Sequence, residues 1–303
     1  MAGGLDGSSG ANKLLRIDSH QHFWRYSAPE YAWIDDTMAV LQRDFQPADL
    51  EPLLRQNGFA GCVAVQAHES VDETRRLVDL AAAAPGVVGV VGWVDFLSPD
   101  LDEQLERFAG QSVVRGYRHT AQSERDDFLA RPDFVHGVAR LRDRELCYDL
   151  LVYPRQLPAA TRLARQLPRQ VFVLDHIAKP EIREGKREPW RTQIRELAAC
   201  PNVYCKLSGL VTEAHWSRWR AADIRPYVDT VLECFGPSRL MIGSDWPVCT
   251  LAASYAEVMQ LARDSLSQLS SDERAGIWGG NAVRCYGLSL VGGIGVEPPM
   301  LDS

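Results

Sequence analysis

Residues 61–94 read GCVAVQAHESVDETRRLVDLAAAAPGVVGVVGWV. A β-branched run gives way to a capping serine, then to a stretch of helical period that closes on Pro-Gly, then to a second β-branched run. That is the signature of a strand–helix–strand unit in a parallel α/β fold. The unit recurs in both directions along the chain. Strand-like runs fall at 14–19, 61–66, 87–94, 112–117, 147–152, 170–174, 203–207 and 239–243. Between them lie amphipathic stretches such as PADLEPLLRQNG, DLDEQLERFAG, RQLPAATRLARQLP and IRPYVDTVLECFGP, most bounded by proline or glycine.

Eight strand-plus-helix units in a chain of 303 residues suit a (β/α)8 TIM barrel, whose usual size is about 250 residues. The expected organisation is a flexible leader at 1–13, a single barrel domain at 14–288 and a loose tail at 289–303. An open doubly wound sheet would carry a phosphate-binding turn, but no GxGxxG follows the first strand and no GxxxxGK[ST] occurs.

Composition narrows the partners. A net charge of −7 and scattered arginines give no attraction to phosphate backbones, so nucleic acid is not an expected partner. The apolar run at 87–94 is far short of the roughly 20 residues that span a bilayer, so no membrane crossing is expected. The leader has neither the basic nor the apolar region of a secretory signal, which predicts a cytoplasmic protein. Seven cysteines without a CxxC pair argue against a disulfide framework. Nothing in the sequence sets an oligomeric state.

In a TIM barrel the chemistry sits at the C-terminal ends of the strands. Those ends read DSHQH, QAHES, RGYRHT, LLVYP, VLDH, CKLSG and GSDWP. Five of the seven histidines, His20, His22, His68, His119 and His176, fall at four of them. A lone histidine is ordinarily a satisfied or solvated one; convergence of five argues for a shared site. Residues two apart on a strand share a face, so His20 and His22 can both look into the barrel mouth, and closure brings Asp245 opposite them. Imidazole and carboxylate together suit a divalent metal, and they equally suit proton transfer without one.

HxH after strand one, a histidine after strand six and an aspartate after strand eight resemble the amidohydrolase superfamily. DSHQHFW, RGYRH, VLDHIAKP, YCKLSGL, GSDWPV and GNAVRCYGL are together similar to its amidohydrolase-2 type, in the sugar-lactonase branch of L-fuconolactonases and L-rhamnonolactonases. The likeness runs from about Arg16 to Leu288. It implies a carboxylic ester hydrolase that opens a small-molecule sugar lactone, with Asp245 as general base and His20, His22 and His176 around the carbonyl. Binuclear members carry a carboxylated lysine after strand four and a histidine after strand five, where this chain has RGYRH and LLVYP. A two-metal centre is therefore not expected. Two descriptions stay open: one divalent metal, zinc first, held by His20, His22, His176 and Asp245, or metal-independent action of the same residues.

Each role has a plainer counterpart. Asp245 can be a helix N-cap ahead of Pro247. Arg118 and His119 can clamp the substrate or can pair with Glu124 or Asp126. Gln66 and His68 can meet sugar hydroxyls. Lys206 can reach the site or pair with Asp175. Of the aromatics after strand one, Trp33 is assigned to the substrate and the others to a satellite core. Cys249 follows the strand-eight motif with no base beside it, so no nucleophilic role is assigned. Two other function classes compete: a metal-dependent decarboxylase of an unsaturated or aromatic acid, and a ligand-binding barrel without catalysis.

Overall fold

The computed structural model describes residues 15–289; the expected leader at 1–13 and the tail beyond Ser289 lie outside the described residues. Eight strands, β1 (Ile17–Gln21), β2 (Gly61–Val65), β3 (Val87–Gly92), β4 (Val114–His119), β5 (Cys147–Leu150), β6 (Phe172–Leu174), β7 (Val203–Leu207) and β8 (Leu240–Ile242), form one sheet in chain order. All seven adjacent pairs are parallel. Backbone bonds from His22 N to Trp246 O (2.7 Å) and from Asp245 N to His20 O (2.8 Å) join the last strand to the first. The expected TIM barrel is the observed fold.

Each strand is followed by a helix: α1 (Pro47–Gln56), α2 (Val71–Ala83), α3 (Leu101–Glu106), α4 (Pro132–Ala139), α5 (Leu157–Gln166), α6 (Trp190–Ala198), α7 (Ala221–Phe235) and α8 (Tyr255–Ser265). Ser70 caps α2 by accepting from Glu73 N, and Ser254 caps α8 in a reciprocal box with Glu257. Two short helices, α9 (Ser271–Ala275) and α10 (Asn281–Tyr286), close the chain across the N-terminal end of the barrel. No described helix is long and apolar enough to cross a membrane.

The first and fourth strands lie further along the chain than 14–19 and 112–117, so His20 and Arg118 belong to strands rather than to the loops after them. Polar side chains suggested a strand end, but a backbone ladder is indifferent to the side chains it carries. The register of β1 against β2 also shifts between Asp18 and Gln21. A bulge of this kind changes which side chains face inward. Ile17 sits in the interior cluster with Val63, Val65, Val91, Val173 and Met241, and beyond the bulge His20 and His22 take over the inward direction.

The interior is layered. Ala282, Tyr286 and Leu288 from α10 and its exit plug the bottom and pack on the apolar layer. Buried Asn281 locks this plug in place, its Nδ2 donating to Pro237 O (2.8 Å) and Leu240 O (2.6 Å) at the start of β8. Above the apolar layer the interior turns ionic. The Asn281→Ala variant is expected to leave the Leu240 carbonyl without this donor and to lower stability by about 1–3 kcal/mol. Urea unfolding should show this as a lower midpoint with an unchanged slope.

Candidate active site

Four strands and the residue just after β6 send one charged or titratable side chain each into the upper barrel: His20, Arg118, Asp149, Lys206 and Asp175, all 3% exposed or less. Lys206 Nζ lies 2.6 Å from Asp149 Oδ2, 3.0 Å from Asp175 Oδ1 and 3.1 Å from His20 Nδ1. Arg118 Nη1 lies 2.9 Å from Asp175 Oδ2 and 3.4 Å from His20 Nε2, and Arg118 Nη2 donates to Gln66 O. Tyr286 OH donates to Asp149 from below at 2.8 Å. Two cations and two carboxylates cancel, which is the condition for burying any of them.

This layer sets the electrostatics above it. Burial drives the Asp175 carboxyl up, but Lys206, His20 and Arg118 outweigh it and hold it well below the usual carboxylate range. Lys206 stays protonated because Asp149 and Asp175 together outweigh its burial. His20 is held well below the ordinary imidazole range, first by burial and then by Lys206 and His176, against the opposing pull of Asp175.

The candidate catalytic groups stand on top. Nε2 of His20 is 3.2 Å from Nε2 of His22, and Asp245 Oδ1 lies 3.5 Å from His22 Nε2 and 3.9 Å from the Nε2 atoms of both His20 and His176. His22 Nδ1 is fixed on Val65 O at 2.8 Å and His176 Nδ1 on Ser208 Oγ at 2.9 Å. Burial pushes His176 down to about 4, so its ring is neutral at pH 7. Asp245 is pushed up by burial, yet His176, the contact with His22, and His20 hold it below the usual carboxylate range. An ionised carboxylate thus faces three imidazoles.

The backbone is strained where these groups are delivered. His176, Ile177, Ala178 and Lys179 all have φ between 47° and 63°, and Asp245 has φ 59°. Left-handed backbone costs a non-glycine residue about 1–2 kcal/mol, and such conformations persist where the surroundings over-determine them. Here Lys179 N donates to His176 O (2.8 Å) and Trp190 Nε1 to Ile177 O (2.7 Å). Gly209 and Gly243 make room: a Cβ at Gly209 would stand 2.6 Å from His176 Nδ1, and one at Gly243 2.6 Å from His20 Cβ.

A cavity of about 390 Å³ opens above the cluster, lined by His22, Trp33, Gln66, His68, Arg118, His176, Lys179 and Asp245 among others. Trp33, 42% exposed, is held at its rim by a bond from Nε1 to Ala67 O. Trp24 and Tyr31 are buried in the main apolar cluster, with Leu41, Phe45 and Leu50, rather than in a separate satellite core. Asp245 is no helix cap: the short turn at Val248–Leu251 starts from Pro247, and no Asp245 side-chain bond to it is present among the described residues. His119 does not line the cavity; its ring stacks on Phe128 and its nitrogens lie 3.3 Å from Glu69 and Glu124. Neighbours on a strand point to opposite faces, so Arg118 and His119 cannot clamp one ligand together. Cys249 is a fully buried thiol, its ionisation pushed well up by burial.

Asp149 and Lys179 were not assigned to the site from sequence, and Asp175 was considered only as a partner of Lys206. The signal for Asp149 is a carboxylate inside the apolar run CYDLLV, a placement that requires a buried partner.

The donor set also fits one divalent cation. Donor atoms of His20, His176 and Asp245 lie within 4.8 Å of one another. A tetrahedral zinc site with bonds of about 2.0 Å has donors about 3.3 Å apart, somewhat inside the 3.9 Å from Asp245 Oδ1 to the Nε2 atoms of His20 and His176.

Comparison with known proteins agrees with this geometry. The chain is 48% identical over 286 residues to an L-fucono-1,5-lactonase of Burkholderia multivorans, covering 90% of this chain and 96% of that one. It is 40% identical over 279 residues to an L-fucono-1,5-lactonase of Burkholderia ambifaria, covering 90% and 95%. A crystal structure of an amidohydrolase from Burkholderia multivorans with bound zinc superposes with a TM-score of 0.86 at 46% identity, covering 91% of this chain and all of that one. The family described as Amidohydrolase matches residues 17–288, the whole barrel from β1 to the exit of α10, and the protein belongs to that family.

Proposed function

We propose that this protein hydrolyses a sugar-acid lactone of the L-fucono-1,5-lactone type. The observation that carries the reaction class is the ionised Asp245 carboxylate set among three imidazoles beneath an open, polar-lined cavity. The substrate class is drawn from its 48% identical lactonase relative.

Lactone opening requires a base for water, positive charge for the carbonyl oxygen and contacts that orient the ring. Asp245 takes the proton from water. Its negative charge, maintained at neutral pH, and its position 3.5 Å from His22 Nε2 suit it to that task. The carbonyl oxygen lies against His20 and His22, with the guanidinium of Arg118 behind them supplying fixed positive charge. His176, held by Ser208, borders the attacking water. Gln66 and His68 meet the ring hydroxyls, and Trp33 offers an apolar face at the rim. Arg118 acts as a buried electrostatic support rather than as a mobile clamp, because Asp175 and Gln66 already engage it. When bound, one zinc ion on the same imidazoles and Asp245 supplies Lewis acidity to the carbonyl.

A panel of aldonolactones in a pH-indicator assay tests the reading; only the spontaneous rate on every lactone would overturn it. Asp245→Asn is expected to lower kcat at least about 10³-fold with little change in melting temperature, since it removes the base. The second expectation concerns pH. Neutral His176 is the working form and its ionisation lies at about 4, so kcat/KM should hold from pH 7 to about 5 and fall as pH drops through 4. An ordinary imidazole would give that fall near about 6.5. The third concerns metal. Zinc titrated into chelator-treated protein should saturate at one equivalent per chain, and His176→Asn should weaken it at least about tenfold in a chromophoric-chelator competition.

A further inference from the structure

At the opposite end of the barrel, the starts of β4, β5 and β6 and the exit of α10 enclose a second cavity of about 750 Å³. Five arginines line it, Arg115, Arg142, Arg144, Arg169 and Arg284, against a single acid, Glu145. This occurs on a chain whose formal net charge is −7. Three of the five are engaged: Arg142 pairs with Asp143, Arg144 lies 3.5 Å from Asp102, and Arg284 donates to Asn281 Oδ1. Glu145 takes part in no ion pair among the described residues. The guanidinium groups of Arg115 and Arg169 likewise have no ion pair or hydrogen bond among the described residues, and Arg115 Nε is buried without a partner.

A buried donor without an acceptor is costly, and a guanidinium has no way to become neutral near pH 7. One such buried donor, on Arg115, beside four further arginines lining a solvent-connected cavity, defines the missing partner. It must be anionic, rich in acceptors and small enough for the space. We propose that this arginine-lined cavity is a second binding site, remote from the catalytic cluster, that takes an oxyanion: a phosphate group or a polycarboxylate. Guanidinium forks match both geometries in a bidentate manner; Arg115, Arg169 and Arg284 lack a carboxylate partner and Glu145 offsets one of them, which leaves two positive charges and calls for a ligand of at least two negative charges. The site does not depend on what the upper cavity hydrolyses.

Calorimetric titration of the full chain with inorganic phosphate and with citrate, at constant ionic strength in chloride, tests this. Saturable binding of at least one is expected, with phosphate the tighter if the natural ligand is phosphorylated and citrate the tighter if it is a polycarboxylate. Arg115→Gln combined with Arg169→Gln should weaken that affinity at least about tenfold. Exposed Arg169→Gln alone, which disturbs no buried contact, should weaken it about threefold. Arg125→Gln, at a side chain 88% exposed elsewhere on the surface, should leave it unchanged. Absence of saturable binding of either anion would overturn the proposal, and so would binding undiminished in the Arg169 and double variants.

Discussion

Two backbone hydrogen bonds across the closure of the barrel, His22 N to Trp246 O and Asp245 N to His20 O, hold the candidate site together. They are ladder bonds that close the sheet, and they also set the distance between the histidine pair and the aspartate. Although His22 and Asp245 lie just beyond β1 and β8, these bonds tie the candidate site to the hydrogen-bonded frame of the barrel. Asp18 reinforces the closure from outside, accepting from Ser244 N at 2.8 Å and from Tyr255 OH of α8 at 3.1 Å. Groups pinned by the bonds that close the barrel are held more tightly than groups on free loops, which matters because misplacement by about 1 Å can cost about 10²-fold in rate.

Beneath the site, the charged layer has an electrostatic role that an apolar layer could not fill. A barrel interior is ordinarily packed with branched aliphatic side chains, and replacing a buried ion pair by such residues often leaves stability unchanged or improved. Lys206, Asp149, Asp175 and Arg118 are thus poorly explained by stability alone. Their arrangement places positive charge against His20 while their sum stays neutral. Cations near the imidazole oppose its protonation, and burial does the same, so His20 and His176 stay uncharged beside the Asp245 carboxylate. In the proposed reaction that single negative charge is the base.

Much of this architecture was legible in the sequence, for identifiable reasons. Strands were visible as β-branched runs, and His20, His22, His176 and Asp245 stood out because polar residues directly after such runs need an explanation. The strand-one bulge was not visible, since a shift of register leaves no mark on the pattern of residue types. The left-handed turn at His176–Lys179 was hidden as well: its residues include no glycine or asparagine, so only packing against Trp190 and Gly209 reveals it. Arg118 was found, but its partner Asp175 is 57 positions away in the chain, beyond any local pattern. His119 shows the reverse failure, because strand alternation alone separates it from Arg118.

His20 is the point at which the two descriptions of the site diverge. In one tautomer of His20, Nδ1 accepts from Lys206 Nζ at 3.1 Å, since an ammonium group has donors only, and the ring proton lies on Nε2. In that tautomer Nε2–H points toward His22 Nε2, whose lone pair is free because Nδ1 is held on Val65 O. Nε2 of His20 is then a hydrogen-bond donor to His22, the form of a cluster without metal. A divalent cation needs the other tautomer, with the proton on Nδ1 facing Asp175 Oδ1 at 3.2 Å and Lys206 turned to its carboxylates. Both partners are already in place. The choice between a bare imidazole cluster and a metal centre therefore requires no movement of the barrel, only the transfer of one proton across a single ring.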